Sequence, residues 1–365
     1  MAEKQPPLYQ VIINDIERLI KTNNFSYDNP ICTEKSLCEK YRVSRITAKH
    51  AITKLENRGV LYRKRGLGSF VVKPETQGAA GRKFALVIPF SSTQGGIFRA
   101  IESANQIFSR LGHQLTIHIG RPKAAENTEL LESLNNQNVD GIVYYPWGSD
   151  LPEEILTTFS QKKKPVIILD KTNTHPEFYS VVCDNYRGGR LLTEHLLSYG
   201  HTRICYLSRF KPDELSSVGD RYRGYGDCLE ASGNGSTPRF VHWDAVGKGK
   251  EGYYMLQHLV NALRLEEVTA ILCENDEVAF NVHMCCQNLG FRVPEDMNIT
   301  GFDNIEWATT GSAQITTIDQ NFALIGEAIA AALMDEEHEP RNHTVPVQLI
   351  PRASTGKAAR NTNTA

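Results

Sequence analysis

From Phe84 onward the apolar residues of this 365-residue chain fall into short runs separated by amphipathic stretches. Strands are predicted at 84–89, 115–119, 141–145, 166–169, 180–183, 204–207, 270–273 and 298–301, with helices between them, for example over 97–111, 189–199 and 277–289. Such alternation builds parallel sheets with helices on both faces. About 280 residues exceed one typical sheet, so the pattern predicts two doubly wound sheets with a cleft between them. In such sheets ligands bind beyond the C-terminal strand ends.

The first 83 residues follow a different rule. They carry 16 Lys and Arg against 8 Asp and Glu, while the remainder carries 24 against 34, and the two parts give the overall charge of −2. Residues 40–65 hold nine basic residues and one acid, Glu56. A small basic module on a large acidic body predicts that the first part meets a polyanion. Tyr9, Ile12, Ile13, Ile16, Leu19 and Ile20 repeat at helical spacing. Thr33 can cap a second helix running to about Tyr41, and Ser44 a third that ends at Gly59. On the third helix Ala48, Ala51, Ile52 and Leu55 form an apolar stripe. Ile46, His50 and Thr53 lie opposite it, flanked by Thr47, Lys49 and Lys54. Two β-rich stretches, 60–63 and 69–72, flank the turn Lys64-Arg65-Gly66-Leu67-Gly68. Three helices and a basic hairpin make a winged helix-turn-helix, whose third helix enters the major groove of duplex DNA.

Composition excludes other classes. Hydrophobic residues at 41% and charged residues at 22% are those of a globular protein, not a disordered chain. The apolar run 84–90 is far shorter than the roughly 20 residues of a membrane span. The N-terminus shows no apolar signal segment, so a cytoplasmic protein with no membrane partner is expected. The eight Cys are scattered apart from adjacent Cys285 and Cys286, with no C-x-x-C spacing. Buried free thiols are expected, with neither disulfides nor metal, and no motif calls for a cofactor.

At the strand ends stand Asp170, Asn275, Asp276 and Asp303, with Arg221 and Trp243 in loops between the same elements. Each Asp alone reads as a turn residue or cap. Together, carboxylates, an amide, a guanidinium and an aromatic face suit a polyhydroxylated ring. One arginine among several acids disfavours a phosphorylated ligand.

Two family resemblances attach to these residues. Thr33-Glu34-Lys35-Ser36-Leu37, Tyr41-Arg42-Val43-Ser44-Arg45-Ile46-Thr47-Ala48, Leu55-Glu56-Asn57-Arg58-Gly59 and Gly66-Leu67-Gly68-Ser69-Phe70-Val71 resemble the DNA-binding domain of GntR-type regulators. That resemblance implies DNA contacts from Lys35 (usually Arg in the family), Arg45, Thr47, Lys49 and the wing glycines Gly66 and Gly68. The composition of the third helix and wing adds His50, Lys64 and Arg65. The second module resembles the LacI/GalR effector domain, which is itself like periplasmic binding proteins. The resemblance is carried by Val139-Asp140-Gly141-Ile142-Val143, Val182-Cys183-Asp184-Asn185-Tyr186, Asp220-Arg221-Tyr222-Arg223-Gly224-Tyr225, Glu274-Asn275-Asp276 and Gly301-Phe302-Asp303-Asn304. It implies effector contacts from Phe98, Asp170, Ser217, Arg221, Trp243, Asn275, Asp303 and Gln320. The small helix-turn-helix and hinge helix of LacI proteins are missing, and a GntR head on a LacI-type body resembles the AraR-like subgroup of regulators.

The expected organisation is a DNA-binding domain over 1–73, a linker over 74–82, an effector-binding and dimerisation domain over 83–356 and a loose tail over 357–365. In the LacI-type fold one subdomain would comprise 83–179 and 312–339, the other 180–311 and 340–356, with crossovers near 179–181, 310–313 and 338–341. The expected function is a repressor of carbohydrate-utilisation genes. It would act as a homodimer on a palindromic operator and be released by a neutral monosaccharide such as L-arabinose or L-fucose. The same architecture sensing a purine or nucleoside is the alternative. An enzyme is a remote one, since no G-x-S-x-G, Walker A or H-E-x-x-H motif is present. A transport-type binding protein is disfavoured by the basic head.

Overall fold

The computed structural model describes residues 7–22, 25–26, 29–57, 60–64, 67–71, 81–89, 95–244, 248–335 and 342–358. The chain divides into two compact units. The first is Met1–Gly81, with Ser109–Gly112 counted to it, and the second is Arg82–Phe108 with His113–Ala365.

The first unit holds helices α1 (Leu8–Lys21), α2 (Glu34–Tyr41) and α3 (Arg45–Asn57) and the strands β1 (Leu61–Lys64) and β2 (Gly68–Val71). Thr33 starts α2 through a capping box, its hydroxyl accepting from the Ser36 amide at 3.0 Å while the Ser36 hydroxyl accepts from the Thr33 amide at 2.9 Å. Ser44 caps α3 through the Thr47 amide at 3.2 Å. Between them Arg42 takes a left-handed conformation, φ 51°, which turns the chain from one helix to the next. The predicted stripe is the buried one: Ala48, Ala51, Ile52 and Leu55 pack with Ile12, Ile13, Ile16, Leu37, Leu61 and Val71. β1 and β2 form an antiparallel hairpin with Leu61 opposite Val71.

The second unit contains β3 (Lys83–Ile88), α4 (Ile97–Arg110), β4 (Gln114–Ile119), α5 (Thr128–Asn136), β5 (Gly141–Tyr144), α6 (Glu153–Gln161), β6 (Val166–Leu169) and β7 (Tyr179–Cys183). It continues with α7 (Asn185–Ser198), β8 (Ile204–Ser208), α8 (Ser216–Ala231), β9 (Phe240–His242), α9 (Gly249–Leu265), β10 (Ala270–Cys273), α10 (Asp276–Leu289) and β11 (Asn298–Thr300). β12 (Thr317–Asp319), α11 (Phe322–Met334), β13 (Asn342–Val345) and β14 (Gln348–Ile350) complete it. A six-stranded parallel sheet runs β13-β7-β6-β5-β3-β4, and a four-stranded parallel sheet runs β11-β10-β8-β9. β12 and β14 pair antiparallel, and β12 is bridged to the second sheet's end at Asp303–Asp319. Strands such as β5, β6 and β10 are buried at every residue, as sheets covered on both faces require.

The crossovers expected near 179–181, 310–313 and 338–341 lie elsewhere. β7 and β13 both belong to the first sheet, whereas β12 and β14 form their own pair, whose Ile318 and Leu349 pack in the core of the second subdomain. The chain therefore crosses just after Cys183, between Asp319 and Phe322, and between Val345 and Gln348. The first subdomain ends later than predicted because β7 pairs with β6 through Tyr179–Val181 and with β13 through Ser180–Cys183.

All eight cysteines are free, seven of them buried. Among the described residues no helix is long and apolar enough to cross a membrane.

Candidate functional site

On the first unit, Lys35, Arg45, Lys49, His50 and Lys64 are exposed, and Thr47 is half-buried with its hydroxyl 2.9 Å from that of Ser44. Ile46 beside them is 82% exposed, an apolar residue on the outward face of the helix. Arg45 donates to Glu34 at 2.8 Å, which ties α3 to α2 and, as a hydrogen bond, holds the Glu34 carboxyl below its usual range. Lys64 lies 4.9 Å from the Phe70 ring centroid on the hairpin. The His50 and Tyr9 rings lie tilted against each other with centroids 4.6 Å apart. Gly68, expected as a wing contact, also carries a packing constraint. At φ +121° it is closed to L side chains, and an added Cβ would come within 2.9–3.0 Å of Pro30, Cys32 and Thr33. Packing of the hairpin on its own domain therefore already requires glycine at this position. Arg65 and Gly66 lie outside the described residues.

In the second unit the sheets' C-terminal ends face a cleft formed by two adjoining cavities of about 120 and 190 Å³, both lined by Tyr145, Asp170, Asp303 and Gln320. Backbone strain aims these groups. Asp170 at φ 66° and Asp303 at φ 113° both occupy conformations that side-chain-bearing residues rarely adopt. Arg221 is 6% exposed and fixed on several sides. Its Nε donates to Asn185 at 2.8 Å and its Nη1 to the Glu274 carbonyl at 2.6 Å. Its guanidinium lies 3.7 Å from the Phe302 ring centroid, with Nη2 3.8 Å from Asp303. Glycines make this placement possible, because a Cβ on Gly189 would sit 2.1 Å from the Arg221 carbonyl and one on Gly224 2.1 Å from that of Tyr186. α7 and α8 thus meet backbone to backbone. Gln320 donates to Asp303. Burial pushes the Asp303 carboxyl up to about 6 against the opposing pull of Arg221 and Gln320. Asn275 lines the cleft while its side chain caps α10 through the Val278 amide at 3.0 Å.

Of the eight effector residues expected, the structure brings Asp170, Ser217, Arg221, Asn275, Asp303 and Gln320 to the cleft. Two are elsewhere. Trp243 is 5% exposed inside the apolar core under α9 and α10, its indole donating to the Gly252 carbonyl at 2.8 Å. Phe98, on α4, packs against the core of the first subdomain. Asp276 is also withdrawn: it is fully buried, and its carboxylate accepts from the Ile305 amide and the Thr317 hydroxyl.

The aromatic residues lining the cleft are instead Tyr145, Trp147, Phe210 and Phe322. Trp147 and Phe210 meet edge-on from opposite subdomains at 6.4 Å. Three charged residues were also unforeseen. Lys171 bonds Asp170 and Ser217, while Arg209 donates to Glu274 at 2.6 Å and to Glu277 at 3.0 Å. Each stands at or just beyond the end of an apolar strand: Asp170-Lys171 after β6, Arg209 after β8 and Glu274 after β10. That position was the available signal. The cleft is therefore charge-matched, Lys171, Arg209 and Arg221 facing Asp170, Glu274 and Asp303, rather than acidic around one arginine.

A winged-helix head and a two-subdomain body with a polar cleft define a ligand-responsive DNA-binding regulator, and comparison with known proteins agrees. The family model described as bacterial regulatory proteins of the gntR family matches residues 8–71, and that of a periplasmic binding protein-like domain matches 193–355. The chain is 29% identical over 297 residues to an arabinose metabolism transcriptional repressor of Halalkalibacterium halodurans, covering 79% of this chain and 78% of that protein. It is 25% identical over 325 residues to the repressor of the same description from Geobacillus stearothermophilus, covering 87% and 88%. Among solved structures, the transcriptional regulator CelR–cellobiose complex superposes with a TM-score of 0.63 at 21% identity, covering 86% of this chain and 92% of that one. The chain is a DNA-binding transcriptional regulator, not an enzyme, that joins a GntR-type head to a LacI-like, periplasmic-binding-protein-type body.

Proposed function

We propose that the chain is a cytoplasmic repressor of carbohydrate-utilisation genes, binding a two-fold symmetric operator as a homodimer and leaving it when a neutral monosaccharide fills the cleft. The observation that carries this reading is the charge-matched cleft. Three cation–carboxylate pairs, two amides and a rim of Trp147 and Phe210 present donors and acceptors in equal measure beside apolar faces. Sugar hydroxyls both donate and accept, and their C–H faces stack on aromatic rings. A phosphorylated ligand would need unpaired cations, and here each cation has its acid. The two relatives described as arabinose repressors support an aldopentose such as L-arabinose, with L-fucose as a near analogue. On the DNA side Arg45, Thr47, Lys49 and His50 on α3, Lys35 on α2, and Lys64, Arg65 and Gly66 on the wing would supply the contacts. A thermal-shift screen of monosaccharides, sugar phosphates and nucleosides tests the effector. A true ligand at 100 times its Kd adds about 2.7 kcal/mol to stability. A response confined to nucleosides or sugar phosphates would overturn the sugar reading.

A further inference from the structure

The geometry points to Lys171 as a specificity-determining residue of the cleft, one that reads the configuration of two neighbouring hydroxyls on the sugar and ties that reading to closure of the two subdomains. This rests on the sugar reading above.

Lys171 is 7% exposed, yet its surroundings are not those of a core residue. Its Nζ bonds the Asp170 carboxylate on its own subdomain and the Ser217 hydroxyl, at 3.0 Å, on α8 of the other. The Tyr145 ring centroid lies 5.8 Å away. Alongside, the Thr172 amide donates to the Ser216 hydroxyl at 3.2 Å, a second bond across the same gap. Burying an ammonium is costly unless polar partners surround it. All of its polar partners here line the cleft, so the charge belongs to the cleft's chemistry and not to packing.

The three groups have fixed senses. Lys171 can only donate and Asp170 as a carboxylate can only accept. Ser217 accepts from Lys171, which leaves its own proton to be donated elsewhere. An ammonium has three N–H donors, and the described contacts use two. A ligand with two adjacent hydroxyls can accept from Lys171 through one oxygen and donate to Asp170 through the other. Because the two groups approach from fixed directions, one relative configuration of those hydroxyls meets both best. Inverting either centre leaves Lys171 or Asp170 buried with a partner lost, which is the costly side of hydrogen-bond energetics. Because Ser217 sits on the opposite subdomain, the arrangement that satisfies Lys171 is also the closed one. An Arg could not substitute, since its planar fork is longer and wider than a point ammonium.

The test is calorimetry on the full-length protein with L-arabinose, its C2 epimer L-ribose and its C4 epimer D-xylose, comparing the unaltered chain with Lys171→Met and Ser217→Ala. The expected result is a loss of about ten-fold or more in affinity for the preferred pentose in Lys171→Met, together with a collapse of the affinity ratio between epimers. Ser217→Ala, a smaller change that keeps the ammonium, is expected to lose affinity several-fold with the epimer ratio partly kept. The ratio is the decisive readout, since a merely structural lysine would lower all three affinities together. Unchanged affinity and an unchanged ratio in Lys171→Met overturn the proposal while leaving the sugar reading intact. If the unaltered chain binds none of the three pentoses nor any other monosaccharide, the sugar reading falls and this proposal with it.

Discussion

Asp303 is held at φ 113° between Arg221 and Gln320, half-buried, with a carboxyl pushed up to about 6. Two predictions belong to this residue. Arg221→Ala or Asp303→Ala should weaken effector binding by about ten- to a hundred-fold, because hydrogen bonds to charged groups contribute roughly 1.5–3 kcal/mol each. Operator affinity without effector should be unchanged, which calorimetry and DNA anisotropy on the same variant would establish. The raised pKa sets the sign of a pH effect. Below about 6 the carboxyl takes up a proton and loses its charge toward Arg221, so effector affinity should fall as pH drops through that value. Lys171, Arg209, Asp170 and Glu274 face the same cleft and are present in both forms of the comparison, so an inflection removed by Asp303→Asn belongs to Asp303. For folding the sign is opposite. A buried carboxyl with a raised pKa favours the folded state at low pH, so its contribution weakens as pH rises from the ordinary Asp range to about 6. Trp243 marks what residue-level reading could not decide. An aromatic near a strand end looks the same in sequence whether its ring faces a cleft or a core. Trp243→Ala should therefore act on stability, costing about 3–5 kcal/mol as a buried Trp does, measured by denaturant unfolding of the chain.

At the scale of elements, α3 and the α7–α8 pair carry the argument. α3 buries its alanine stripe and leaves Arg45, Ile46, Lys49 and His50 outward. Arg45→Ala should cost about 1–3 kcal/mol of operator affinity if the arginine reads a guanine. Lys64→Ala should weaken specific and random duplex alike and flatten the salt dependence, as a phosphate contact does. In the body, Gly224→Ala forces a Cβ to within 2.1 Å of a backbone carbonyl that cannot rotate away. It should destabilise the chain by about 1–3 kcal/mol or more and, by displacing α8, weaken effector binding as well. Most of the eight strands read from the sequence are apolar throughout or nearly so, as β3, β5, β6, β8 and β10 are, while β4 was legible from its alternation and β11 from the apolar residues that flank it. Those missed are short or polar. β9, β12 and β14 have three residues each, and β13 reads Asn-His-Thr-Val with three of its four residues exposed. Such strands are specified by their partners, not by their own pattern, and because β13 was illegible the last crossover was placed too early. The cleft residues followed the same logic. Asp170, Arg221, Asn275 and Asp303 were legible from family resemblance and strand ends. Lys171, Arg209 and Glu274 were not, because a lone charge after a strand looks like a solvated cap until its partner across the fold is known.

For the whole molecule the claim is coupling: a sugar closing the cleft changes how a dimer's two heads meet DNA. The two cleft walls already bond each other through Lys171–Ser217 and Thr172–Ser216, and Arg99 of the first subdomain donates to the Asn304 carbonyl of the second at 3.0 Å. A ligand that favours one closure state shifts the population only by its differential affinity for that state. One winged helix offers few base contacts, so two heads on a symmetric site are expected, as footprinting of a palindrome would show. The most direct measurement is fluorescence anisotropy of a selected operator duplex bound by the full-length chain and titrated with L-arabinose, with Asp303→Ala run beside it. The account predicts that the sugar releases DNA from the unaltered chain, and that Asp303→Ala binds the operator equally well but stays bound at sugar concentrations that empty the unaltered protein. Equal release from both proteins, or an operator complex indifferent to every monosaccharide, would contradict it.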